Sequence, residues 1–138
     1  MAIQLNLNIP PHEPNAQASA GYKFNKDSIL YTLTPHMHMR GSWMKYEARY
    51  PDGRRETLLS VPRFDFNWQT TYRLAEPLRI PAGTEIFCSG AFDNSPGNPS
   101  NPDPEKKVRW GQQSWDEMFI GYVGYAELPP PKVAAQNP

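Results

Sequence analysis

The sequence predicts an all-β fold, an antiparallel β-sandwich of jelly-roll type with about eight or nine strands. Three observations carry that expectation. Apolar and β-branched residues recur with a period of two in several short runs, as on strands with one buried face. Turn signals built from Gly, Pro, Asp and Asn separate those runs at regular intervals. Sixteen prolines and nine glycines in 138 residues leave no amphipathic stretch long enough for a three-turn helix. A chain of this length forms one domain and buries a proper core. The expected division is an N-terminal arm over 1–20, a β-sandwich over 21–128 and a Pro-rich tail over 129–138.

The elements follow in chain order. Ile3, Leu5, Leu7 and Ile9 alternate weakly before Pro10-Pro11, the pattern of an edge strand running into a coil that carries His12 as an exposed loop residue. Ser28-Ile29-Leu30-Tyr31-Thr32-Leu33-Thr34 is rich in apolar and β-branched residues and reads as a strand. From 42 to 50, Met44, Tyr46, Ala48 and Tyr50 share one face, and Lys45, Glu47 and Arg49 share the other. Pro51-Asp52-Gly53-Arg54 is a turn, and 55–61 returns as the second strand of a hairpin. A further strand is expected over 67–74, where aromatic and β-branched residues cluster. Pro77 and Pro81 restrict Leu78-Arg79-Ile80 to a short edge segment. Residues 84–93 alternate again. The Asn- and Pro-rich run 94–104 has no apolar anchor and reads as a surface loop. A short strand over 108–110 and a last one over 115–128 complete the expectation.

Composition excludes several functions. Fourteen basic residues balance fourteen acidic ones, so there is no electrostatic case for binding nucleic acid or an anionic membrane. No run approaches a transmembrane span. No charged-then-apolar leader opens the sequence, so the expectation is a cytosolic chain or a domain excised from a longer one. The single cysteine, Cys88, excludes an internal disulfide framework and a CxxCH haem attachment. Neither a Gly-x-Ser-x-Gly elbow nor a His-Glu-x-x-His zinc motif occurs.

The chemistry concentrates in Pro35-His36-Met37-His38-Met39-Arg40-Gly41. If the preceding strand runs on through the motif, His36 and His38 share a face while Met37 and Met39 take the opposite one. Two imidazoles about 7 Å apart at Cα can converge on one metal ion. Such a pair alone is equally consistent with unrelated surface histidines. Far down the chain, Asp116-Glu117-Met118 supplies a thioether, and two neutral imidazoles plus a thioether make a donor set suited to copper, above all Cu(I). Three protein donors leave a coordination position open, as a reactive site does.

His36, His38 and Gly41, with Asp116-Glu117-Met118 beyond them, resemble the C-terminal domain of the copper type II, ascorbate-dependent monooxygenases. That family includes the peptidylglycine α-hydroxylating and dopamine β-monooxygenases. The similarity is closest to bacterial domains of this kind. It runs through Asp52-Gly53-Arg54, Phe66-Asn67-Trp68-Gln69, Asp93-Asn94-Ser95 and Trp115-Asp116-Glu117-Met118, and covers roughly 20–128. The resemblance implies that His36, His38 and Met118 bind one catalytic copper, at which O₂ is activated and a C–H bond of a small-molecule substrate hydroxylated. It also implies an electron donor, ascorbate or a redox partner domain, and a periplasmic or extracellular location.

The departures from that family are specific. The second, electron-delivering copper needs three further histidines, and only His12 remains. The residues with which the peptide enzyme grips a substrate carboxylate correspond to Thr34, Ile120 and Tyr122; only the tyrosine keeps the family's residue, so Tyr122 is the expected substrate contact. A family disulfide would join Cys88 to position 119, where this chain has Phe, so Cys88 is expected as a buried free thiol. Two functions follow as expectations: a mononuclear copper oxidoreductase domain, or a copper carrier, storage or electron-transfer module in which Met37 and Met39 add thioethers.

Overall fold

The alternation over 42–50 becomes the inner face of a sheet: Met44, Tyr46 and Ala48 have no exposed surface, and Lys45, Glu47 and Arg49 face outward. The computed structural model describes residues 1–130. Residues 131–138, most of the expected tail, lie outside them. The described residues form ten strands and no helix: β1 (Ala2–Ile3), β2 (Asn8–Ile9), β3 (Ala16–Lys23), β4 (Ser28–His36), β5 (Gly41–Arg49), β6 (Arg55–Val61), β7 (Tyr72–Ile80), β8 (Glu85–Phe92), β9 (Val108–Arg109) and β10 (Ile120–Glu127). One sheet has the order β1-β10-β4-β7, the other β3-β8-β5-β6, and β2 pairs with β9 in a separate ribbon. Every ladder is antiparallel. Without the ribbon, the remaining eight strands counted in chain order read 1-8-3-6 against 2-7-4-5, the paired Greek keys of a jelly roll. The expected fold class holds.

Several local expectations are corrected. The first twenty residues supply β1, β2 and the start of β3. They join because Ala2, Leu7 and Ile9 are buried and because β3 pairs along its whole length with β8. The strand expected from residue 67 starts at Tyr72, and 67–71 is loop. Pro77 does not shorten β7, which runs to Ile80. This strand is the sheet edge, and its register against β4 slips across 74–77, so no ladder bond is lost at the missing N–H. The last strand begins at Ile120, not 115.

One irregularity decides where the histidines point. Against both β7 and β10 the register of β4 shifts between Leu30 and Thr32, so Tyr31 bulges. A single extra residue flips every side chain beyond it to the other face. Ser28 and Leu30 are buried before the bulge, and Leu33 and Met37 after it. His36 is therefore turned out of the core; without the bulge it would continue the buried phase of Ser28 and Leu30.

Candidate metal centre

Strand β4 ends at His36, so the pair does not share a face through a continuous strand as expected. A turn brings the rings together instead. The Gly41 N–H donates to the His38 carbonyl at 3.1 Å, and a Cβ on Gly41 would stand 2.7 Å from both Met37 Cβ and Phe64 Cδ1. Glycine is needed there for close packing against Met37, which is fully buried. The imidazole centroids of His36 and His38 lie 5.2 Å apart with their planes at 84°.

Each ring is held by one nitrogen. His36 Nδ1 lies 2.7 Å from Gln69 Oε1. The Gln69 amide donates from Nε2 to the Phe66 carbonyl at 3.1 Å, which leaves its oxygen facing His36, so the Nδ1–H donates. His38 Nδ1 lies 3.1 Å from the Asp116 carbonyl, an oxygen that can only accept. Both neutral imidazoles therefore carry their proton on Nδ1 and leave the Nε2 lone pair free. A carbonyl that accepts from the nitrogen remote from the ion is the arrangement that orients metal-binding histidines. Burial lowers the pKa of His36 below its usual 6.5, helped by the neighbouring His38 and opposed by the Gln69 hydrogen bond, which favours the neutral, ligating form.

Beneath the rings lies a polar knot. Glu117 is fully buried; its carboxylate accepts the His38 N–H at 2.8 Å and the Arg40 N–H at 2.7 Å. Burial pushes its pKa up to about 7, against the pull of those donors and of the Arg40 charge. Arg40 is also fully buried. Its guanidinium donates to Asn94 Oδ1 at 2.8 Å, the Trp115 carbonyl at 2.8 Å and the Asp103 carbonyl at 3.4 Å. Asn94 in turn donates to the Pro10 and Lys106 carbonyls. The 94–104 loop lies on the surface as expected, but polar groups tie it down at both ends.

Of the other expected residues, Tyr122 lies at the same place. Ile120 pairs with His36 as the last rung of the β10–β4 ladder, and Met118 lies two residues before Ile120 in the chain, outside the ladder. Phe119 points into the core with no exposed surface, while half-buried Met118 and exposed Tyr122 alternate with it toward the outer face. The Tyr122 ring centroid is 6.3 Å from that of His36, and Phe66 is 6.0 Å from His38. His12 stays apart, exposed as expected and paired with Glu105 at 3.0 Å. Cys88 is a fully buried free thiol. Among the described residues no cluster of three His, Cys, Asp or Glu side chains is placed to hold a metal. Sequence reasoning missed Gln69, Glu117, Arg40 and Asn94 as supports. Gln69 lies in a loop that read as strand, and buried charges carry no periodic signal.

Compared with known proteins, the chain matches no protein-family model and no curated protein.

Proposed function

We propose that this chain is a mononuclear copper oxidoreductase domain that hydroxylates a small-molecule substrate with O₂ and electrons from ascorbate or a redox partner. The observation that carries the reading is the pair of perpendicular imidazoles with both Nδ1–H groups engaged and both Nε2 lone pairs free. Two imidazoles and a thioether fit copper better than zinc, which prefers more nitrogen, oxygen or thiolate donors. His36, His38 and Met118 would hold the ion, which when bound supplies one-electron redox chemistry toward O₂. Gln69 and the Asp116 carbonyl fix the ring planes, and Glu117 fixes the backbone between the two rings. Tyr122 presents its exposed ring beside His36, where a substrate would lie. Of the two methionines that the carrier reading adds, Met37 is sealed in the core, which leaves that reading only the half-buried Met39.

Met118→Ile tests this directly. It keeps a similar apolar volume and should cost about 1 kcal/mol in stability. Cu(II) binding by the two histidines should survive, while Cu(I) affinity and ascorbate-driven O₂ consumption above the free-copper control should fall. Equal Cu(I) affinity in both proteins, with no Cu–S scattering in the X-ray absorption of reduced wild type, would remove the thioether and with it the reading.

A further inference from the structure

On the outer face of the other sheet, away from the histidines, lies a cleft of about 480 Å³ roofed by the N-terminal segment, a volume suited to a small ligand. Its floor is the row where Ser19 of β3 stands opposite Ser89 of β8. Trp43 and Gln17 flank Ala91 of β8 in one row of the sheet, and Asn6 and Asn8 of the N-terminal segment complete the lining.

Three features limit what this cleft can hold. First, no ionisable side chain lines it, so it offers a charged ligand no partner. Second, the side chains of Asn6, Asn8, Gln17, Ser19 and Ser89 make no hydrogen bond to any described residue, and each amide offers paired donors and an acceptor. Third, one aromatic face is available: Phe87 is already covered by the Arg49 guanidinium, 3.5 Å from its centroid, which leaves Trp43 as the stacking surface. The roof is rigid. Gln4 donates to the Ser19 carbonyl at 3.2 Å and accepts the Asn6 N–H at 2.9 Å. Beyond it, buried Leu7 and Ile9 and the β2–β9 ribbon fix the other end. A pre-formed cleft loses little entropy when a ligand enters.

A ligand that is neutral, dense in hydroxyls that both donate and accept, and apolar on one face matches all three features. We propose that this cleft binds a neutral saccharide, with Trp43 stacked on the C–H face of a sugar ring and Asn8, Gln17 and Ser89 bonded to its hydroxyls. The site is independent of copper.

The test is a ¹⁵N–¹H NMR titration of the full chain with cellohexaose, xylohexaose, mannohexaose and chitohexaose in turn. At least one should shift the side-chain amides of Asn8 and Gln17 together with the Trp43 indole. Trp43→Ala should weaken that binding about tenfold or more, the scale of a lost aromatic anchor, with Cu(II) stoichiometry unchanged. Asn8 and Gln17 are exposed, so Asn8→Ala and Gln17→Ala give folded variants that should each weaken it severalfold. No shift with any of the four sugars at millimolar concentration overturns the proposal. So do shifts confined to Tyr122 and Gln69, equal affinity in all three variants, or equally tight binding of polygalacturonate, which would show that charge rather than neutral hydroxyl chemistry is recognised.

Discussion

Between the sheets, Leu30, Leu33, Met44 and Phe119 are fully buried and held by apolar contact. At one end of the same sandwich, Arg40, Asn94 and Glu117 are buried as completely, yet every bond that holds them is directional. The first region gains stability from removed area, which many side-chain sets can supply. The second is stable only when each donor and acceptor is matched, because an unmatched buried charge is costly. The candidate metal centre rests on the second region. Imidazoles that must meet an ion at fixed angles need a support that has one geometry, and a hydrogen-bonded knot specifies its geometry more sharply than packing does.

The strongest way to break that contrast is Glu117→Leu. It strands two buried N–H donors and leaves the Arg40 charge without its acidic neighbour, so it should cost about 3–5 kcal/mol in urea unfolding and abolish Cu(II) binding. Adding Arg40→Met should cost less than the sum of the single losses; strict additivity would mean the knot is not one unit. Next comes Met44→Ala in the apolar region. It should cost about 3 kcal/mol while the folded protein keeps wild-type Cu(II) affinity, and a large affinity loss would show that the two regions are not separable. Gln69→Ala should barely change stability but weaken Cu(II) binding about 10–100-fold, as loss of the group that orients a ligating ring does; isothermal titration would reveal an unchanged affinity if the His36 ring were held by packing alone.

The smallest effect is pH dependence. His36 has a lowered pKa in the folded protein, so between that value and its unfolded 6.5 the unfolded chain binds more protons. Its stability contribution is therefore present above pH 6.5 and lost as pH falls below it. Buried Glu117, raised to about 7, acts with the opposite sign, its contribution being lost as pH rises toward that value. The His36 part is read as the difference between wild type and His36→Gln. Wild type should lose stability relative to the variant from pH 6.5 downward, and the His36 ring proton should titrate below 6.5 by NMR. A midpoint at or above 6.5 would mean the ring is more solvated than its surroundings indicate.

The sandwich was legible because its governing force writes itself as period two. Met44, Tyr46, Ala48 and Tyr50 announce their face, and Asp52-Gly53 announces the turn that follows, where Gly53 has φ of 88°. The histidine pair was legible as chemistry, since few residue types bind a soft metal. Its geometry was not, because nothing in 28–34 signals a bulge at Tyr31, and that bulge alone sets which way His36 points. The knot was least legible. Arg40 and Glu117 are residues usually found in water, and their burial follows from contacts between segments that only the finished topology brings together. The Asn67–Thr71 stretch misled for a related reason. Its strand-forming composition is overridden by a turn in which Asp65 accepts the Asn67 and Trp68 N–H groups.

The strand order also governs when each part of the molecule comes into being. Of the seven ladders only β5–β6 joins strands that are neighbours in the chain. The strand that ends at His36 waits for β7 and then for β10, and the loop closures this requires place the fold among slow-folding topologies. During synthesis the hairpin can close early, whereas β4 has no partner until β7 is made and only one until β10 follows. The carbonyl of Asp116 and the carboxylate of Glu117 arrive with that strand. Until then His38 lacks both of its anchors, so a nascent chain has no ordered histidine pair with which to capture a metal. On the proposed reading, metal loading waits for the completed fold.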